Sequence, residues 1–329
     1  MSGSSFELNL DFPNTRSRSE QIHIHLSGLL LQVLVDIVAL PLLLTRDKYR
    51  IRRKINTGRT GSCKICIYVP KEGQEPNERR GVVIHLHGGG WTIGRPETEA
   101  PICRYLSNTV GAIIVAPDYQ KAPQYPFPCA LEQIYQVASW IARLNISSLQ
   151  VDSSRIGLSG GSAGSNLACA LSTLIVSRPL PNQAKIIAQC LLYPVLNLAV
   201  PYEEKLARVD PAHILPQWMS RFFLKAYFPP PRVASDPLVS PALASNDIMS
   251  QQPPTLILTA AYDYLAREAD EYAEHLRSVG VAVRHRRFED VGHGFDGIPT
   301  WDRTQRVLNE KARDEAWSMI ASLMRESLL

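Results

Sequence analysis

The segment GLSGGSAGSNLA contains Gly160-Gly161-Ser162-Ala163-Gly164, a match to G-x-S-x-G. Alone, such a match is a glycine-rich turn with a serine that could cap a helix. Its surroundings say more. An apolar run, SRIGL, precedes it and an apolar helical run, SNLACALSTLIV, follows it, the strand–turn–helix context of a nucleophile elbow. A turn this tight needs neighbours without bulk, which Gly160 and Gly164 supply. The helix N-terminus beneath Ser162 favours negative charge developing there. A serine hydroxyl is a poor nucleophile at neutral pH and needs a base. Of eight histidines, His293 fits best, in the loop EDVGHGFDG directly after the last strand-like run. His275 falls in a helix-like segment and His285 in a strand-like one. The imidazole in turn needs an acid to hold its tautomer. Asp263 ends the strand-like TLILTAAYD. Asp270 lies within the following helical sequence, and Asp290 and Asp296 have no strand to position them.

A tetrahedral oxyanion would require hydrogen-bond donors aimed at it. The run VVIHLHGGGW ends a β-branched stretch in three glycines, Gly88 to Gly90. Backbone N–H groups of Gly88 and Gly89, with that of Ala163 after the nucleophile, are the expected donors. Gly90 is expected to serve the turn and Trp91 to pack beside a pocket.

These residues need a scaffold that brings strand ends together. From about residue 60 the pattern alternates. CKICIYVP, GVVIHLH, GAIIVAPDY, SRIGLSG, IIAQCLLYPV, PPTLILTAAY and VAVRHRRFEDV read as strands. ALEQIYQVASWIARL, SNLACALSTLIV and EADEYAEHLRSVG read as helices, and a last helix is expected over about 304–323. Alternation of this kind predicts an α/β fold, a mostly parallel central sheet flanked by helices. Ligands in such sheets bind beyond the carboxyl ends of the strands, where Ser162, Asp263 and His293 all fall. The interval 197–243 breaks the alternation with many prolines and with Trp218, Phe222, Phe223 and Phe228, and reads as a cap insertion.

The 329 residues carry a net charge of +4, 45% hydrophobic and 20% charged. This is ordinary globular composition, and without a dense basic stripe it argues against a nucleic-acid partner. Six cysteines are scattered. Cys63 and Cys66, three apart on a strand, face opposite sides and make neither a zinc site nor a disulfide framework. A reducing, cytoplasmic setting and no metal are therefore expected. The chain opens without a basic n-region. Leu26 to Leu44 approaches the length of a membrane span, but Asp36 interrupts it. Ser27, Gln32 and Asp36 recur at helical spacing, which predicts a packed helix with one polar stripe. The basic run RDKYRIRRK follows, so weak membrane association through residues 26–54 is the alternative. Residues 1–60 are expected to form a helical cap segment and 61–329 the catalytic domain.

HGGGW, APDYQKAPQYPFPCALEQ, GGSAGSNLA, SDPLVSPALA, AYDYLAREAD and GHGF, in this order over about residues 80–300, resemble the hormone-sensitive-lipase-like branch of the α/β-hydrolase superfamily. The resemblance implies a cofactor-free serine esterase with the order Ser162, Asp263, His293, capped by N-terminal helices and the insertion. It implies a carboxylic-ester hydrolase for a small to medium apolar ester or lactone. An acyl-transfer or lactone-forming enzyme would use the same residues. A non-catalytic receptor, as in relatives lacking the histidine, is disfavoured by His293. The chain departs from the family at Gly161, usually acidic, at Gln124, at Asn197, usually aspartate, and at Arg267. Each change removes negative charge near the site.

Overall fold

In the computed structural model the described residues are 8, 10, 16–45, 47–48, 50–71, 80–144, 151–206, 216–230 and 234–328. Positions 207–215 and 231–233 of the insertion, and 46 and 49 of the basic run, lie outside them.

Eight strands form one sheet: β1 (Arg50–Asn56), β2 (Ser62–Tyr68), β3 (Arg80–Leu86), β4 (Ile113–Asp118), β5 (Val151–Gly161), β6 (Lys185–Leu192), β7 (Thr255–Tyr262) and β8 (Val283–Gly292). The spatial order is β1-β2-β4-β3-β5-β6-β7-β8. β2 is antiparallel to both β1 and β4, and the other pairings are parallel. β1 lies in the stretch expected to be cap, so the sheet begins at Arg50 rather than after residue 60.

Each strand feeds two cores because successive side chains point to opposite faces. Ile65, Ile67, Ile84 and Leu86 pack against α4 (Cys129–Ala142), α5 (Ala163–Ser177) and α9 (Ala266–Ser278). Cys66, Tyr68, Val83 and Leu258 pack against α3 (Ala100–Val110) and α10 (Arg303–Leu328). Cys63 and Cys66 fall into different cores, as their spacing requires, and both are free thiols. Burial pushes both up to about 12, so neither is a nucleophile at neutral pH.

Register fixes where the strands end. Leu86 pairs with Gly160, Gly161 with Leu192, and Tyr262 with Gly292. The residues just beyond, including Gly88, Ser162, Asp263 and His293, therefore share one edge of the sheet. Over that edge the insertion contributes α6 (Tyr202–Leu206) and α7 (Gln217–Tyr227), before α8 (Asn246–Met249) returns the chain to β7.

The N-terminal segment differs from expectation. It is helical from Arg18, not Leu26, and divides into α1 (Arg18–Val38) and α2 (Leu40–Leu44). The break at Ala39 precedes Pro41, which has no N–H to continue the ladder. Ser17 caps α1, its hydroxyl accepting from the Glu20 N–H at 3.2 Å. The polar stripe is present, but it faces the protein. Gln32 Oε1 accepts from Gly94 N–H at 3.0 Å, and Asp36 receives two bonds from the Arg95 guanidinium at 2.6 and 2.7 Å. Those bonds hold Asp36 below the usual carboxylate range, the Arg95 hydrogen bonds being the main cause. Most of the leucines and valines expected to pack, among them Leu26, Leu30, Val33 and Leu34, are turned outward and exposed. Partners for two polar side chains on the loop beyond β3 set the facing of the helix against its hydrophobic pattern.

Candidate active site

Ser162 sits on the turn between β5 and α5 at φ 54° and ψ −119°, a positive-φ conformation that side chains rarely adopt. Its N–H is held by Leu192 O at 2.9 Å. The turn closes only because its neighbours lack side chains. A Cβ at Gly164 would lie 2.1 Å from Leu86 O, and one at Gly160 2.6 Å from the Gly164 carbonyl carbon. The strain aims the hydroxyl at His293, whose Nε2 is 2.8 Å from Ser162 Oγ. His293 Nδ1 lies 2.7 Å from Asp263 Oδ2. A carboxylate oxygen can only accept, so Nδ1 carries the proton and Nε2 is free to accept from the serine. Asp263 is almost fully buried, and its other oxygen accepts from Leu265 N–H at 3.0 Å. The aspartate thus both orients the imidazole and stabilises the turn into α9. Asp270 pairs with His285 and Arg287, and Asp296 with Tyr193 and Trp317, so neither competes for His293.

The glycine loop lies opposite. Gly89 and Gly90 have φ of 111° and 57°, which glycine adopts without a Cβ penalty. Among the described hydrogen bonds none uses the N–H of Gly89 or Ala163, whereas the Gly88 N–H donates to the Glu99 carboxylate, and Gly88 lies against the Gly161–Ser162 turn. The loop is fixed from three sides. Tyr119 Oη donates to His87 O at 2.8 Å, and the His87 ring stacks on Tyr119 with centroids 4.1 Å apart. His87 Nδ1 donates to Gly88 O at 2.7 Å. Burial, with Lys121 nearby, lowers the His87 imidazole to about 4, so it stays neutral in that role. From α1, Gln32 and Asp36 hold Gly94 and Arg95. Gly90 makes room for Phe223, since a Cβ there would lie 2.2 Å from the ring. Trp91 is buried against Tyr227, stacked at 4.4 Å.

Trp91, Val195, Leu198, Phe223, Leu224 and Leu265 line the cleft over Ser162, a cavity of about 60 Å³. Both the glycine loop and the cap insertion therefore contribute walls. Among the described residues no group of three or more His, Cys, Asp or Glu is arranged to hold a metal.

Two supporting clusters escaped sequence reasoning. Tyr193, at the end of β6, has its ring 4.8 Å from the His293 ring and donates from Oη to Asp296 Oδ1 at 2.5 Å. Asp296 Oδ2 accepts from Trp317 Nε1 at 3.1 Å. Burial raises Asp296 above the ordinary carboxylate range. Glu268 Oε1 accepts from the N–H groups of Leu196 and Asn197 at 2.7 and 3.2 Å, and Glu268 pairs with Lys205. Burial pushes Glu268 upward, with Lys205 the main opposing influence. A buried carboxyl group, Glu268, and a half-buried one, Asp296, thus stand close to the centre. The departures at Gly161, Asn197 and Arg267 therefore do not leave it without acids nearby. Neither cluster has a local signature, since its members are about 70 and 100 positions apart in sequence.

Comparison with known proteins agrees with the geometry. A family model described as alpha/beta hydrolase fold matches residues 83–297. An arylesterase from Saccharolobus solfataricus is 32% identical over 229 residues, 69% of this chain and 72% of the relative. An arylacetamide deacetylase from Mus musculus is 27% identical over 306 residues, 76% of each chain. Among solved structures, an esterase from Pyrobaculum calidifontis superposes with a TM-score of 0.74 at 30% identity, over 94% of this chain and 93% of that one. A thermostable carboxylesterase cloned from a metagenomic library gives 0.77 at 30% identity, over 92% and 98%. The chain belongs to the hormone-sensitive-lipase-like esterase family of the α/β-hydrolase superfamily and is a carboxylesterase-type hydrolase.

Proposed function

We propose that this chain hydrolyses small to medium apolar carboxylic esters or lactones through an acyl-enzyme formed on Ser162. The observation that carries the reading is the continuous chain of short contacts from Ser162 Oγ to His293 Nε2, 2.8 Å, and from His293 Nδ1 to Asp263 Oδ2, 2.7 Å. The Ser162 hydroxyl attacks the acyl carbon while His293 Nε2 takes its proton. Asp263 stabilises the imidazolium and holds its tautomer. The oxyanion is held by the N–H groups of Gly89 and Ala163, the Gly88 N–H, expected to join them, being engaged by Glu99. As the intermediate collapses, His293 returns the proton to the departing alcohol. Water then attacks the acyl-enzyme, giving its proton to the same nitrogen, and the acid leaves with Ser162 restored. In a lactone the departing alcohol stays tethered to the acyl group. The narrow apolar cleft favours a short acyl group or alcohol, with Trp91 and Phe223 excluding water.

The test is a panel of esters and lactones of graded size with wild type, Ser162→Ala and His293→Ala. Each variant is expected to lose about three orders of magnitude or more in kcat on the best short ester. A fluorophosphonate probe should label wild type and not Ser162→Ala. Near-full activity in either variant, or labelling that persists in Ser162→Ala, would overturn the assignment.

A further inference from the structure

Helix α1 carries two unlike faces. Its inner face buries Ile24 in the core and is otherwise polar or small: Gly28 packs against Thr92, Pro123 and Phe222, while Gln32 and Asp36 bind the loop at Gly94 and Arg95. Its outer face is a stripe of large aliphatic side chains with nothing among the described residues laid over it. Leu26, Leu30 and Ile37 are each more than 60% exposed, and α2 prolongs the stripe with Leu40 and Leu44. A soluble surface scatters such residues singly, and a continuous stripe calls for a partner. Beside it Trp218 on α7 is also exposed, on the helix whose Phe222 touches Gly28.

Charge selects the partner. Between residues 26 and 56 the sequence holds two acids, Asp36 and Asp47, and both are turned to internal arginines, Arg95 and Arg104. Arg52 and Lys54 are exposed on one face of β1, whose first residue, Arg50, donates from its guanidinium to Thr45 O directly after α2. The apolar stripe therefore runs into a predominantly basic strand, on which Glu97 meets Arg52. A second copy of the chain would bring like charges together. Crossing a bilayer would strip the inner face from the glycine loop and carry Asp36 into hydrocarbon. We propose that α1 and α2 dock the enzyme on an anionic lipid surface, lying in its plane. The aliphatic stripe sits at the boundary of headgroups and acyl chains, with Arg52 and Lys54 against the phosphates. Trp218, amphipathic and exposed, is positioned to sit at the same depth.

The experiment is flotation of the full chain with vesicles of phosphatidylcholine alone or mixed with phosphatidylserine. Wild type should float with the mixed vesicles and be released by alkaline carbonate. Leu30→Glu/Val33→Glu should lower vesicle partition by roughly tenfold or more, since a buried charge replaces apolar insertion. Its melting temperature and its turnover of a soluble short ester should stay at wild-type values, because both positions are exposed. Arg52→Glu/Lys54→Glu should abolish the preference for phosphatidylserine. Absence of flotation would overturn the proposal, as would flotation indifferent to both variants. Retention after carbonate would mean a spanning helix. A lipid-free dimer that Leu30→Glu/Val33→Glu makes monomeric would mean that a second copy covers the stripe. Either result would refute docking in the plane of the membrane.

Discussion

Substitution of Gly161 by alanine isolates the link between the nucleophile turn and the histidine. A Cβ at this position would lie 2.9 Å from Tyr193 Oη, 3.2 Å from Cε2 and 3.3 Å from Cζ. Ordinary contact with a methyl needs roughly half an ångström more. Tyr193 has little freedom to yield. Its hydroxyl is bonded to Asp296, which is itself held by Trp317, and Phe295 meets the ring edge-on at 5.7 Å. Its backbone φ is already +35°. Displaced, the ring must push on the His293 imidazole, 4.8 Å away. Overpacking of this kind costs about 1–3 kcal/mol, which for 329 residues corresponds to a melting temperature lower by roughly 1–4 °C. A shift of a fraction of an ångström between base and nucleophile should lower kcat about tenfold, with KM little changed.

The measurements are thermal melts by circular dichroism and steady-state kinetics on a short p-nitrophenyl ester. Tyr193→Phe gives the second arm of a cycle, because it deletes the nearest colliding atom while leaving the ring. Alone it leaves Asp296 with one partner fewer and should itself destabilise. Combined with Gly161→Ala, the two losses should fall short of their sum by about 0.5 kcal/mol or more. Strict additivity, or a Gly161→Ala enzyme with wild-type melting and turnover, would refute the steric coupling. The same contacts give a physical reason for glycine where the family usually carries an acid. The space is taken by Tyr193 Oη, and a carboxyl group is already supplied by Asp296.

Other perturbations read other parts of the centre. Asp263→Asn keeps an acceptor for Leu265 N–H but presents an amide N–H to His293 Nδ1, favouring the wrong tautomer. Its kcat should fall by about 10⁴, and a loss under tenfold would remove Asp263 from the mechanism. Asp36→Ala frees Arg95 from α1. With both side chains partly exposed and screened, the loss should be about 1 kcal/mol in stability. Turnover should also drop severalfold as the glycine loop loosens, whereas unchanged kcat would mean that α1 does not hold that loop. His87 is near 4 in the folded chain and about 6.5 in the unfolded one, so the unfolded chain binds more protons between these values. Stability from the neutral ring is complete above about pH 6.5 and is lost as pH falls, approaching about 3 kcal/mol at pH 4. The raised carboxyl groups of Asp296 and Glu268 have the opposite slope and oppose the loss in the lower part of that range. Urea melts from pH 7 to 4.5 should show a shallower slope in His87→Gln, and an identical slope would refute the assignment.

What was legible in the sequence was what depends on near neighbours. Ser162, Asp263 and His293 each end or follow an apolar run, and the glycines that let the turn close lie within two residues of the serine. Parallel strands in register then bring these ends to one edge, so a local pattern fixes a distant meeting. What stayed hidden depends on contacts that no local pattern records. Glu268 holds the N–H groups of residues 196 and 197, and Asp296 reaches Tyr193 across the sheet edge. Helix α1 shows the limit most sharply, because its period was readable and its facing was not. Hydrophobic periodicity locates two faces but turns the apolar one inward only when burying it is the largest gain available. Here the inner face meets unpaired donors at Gly94 and Arg95, which leucine could not satisfy and which cost free energy if buried alone. Gln32 and Asp36 satisfy them, and Gly28 allows the close approach, so the aliphatic face is left outside. That arrangement is stable for the fold but leaves apolar surface in water, a residual gain that an apolar medium outside the chain could collect.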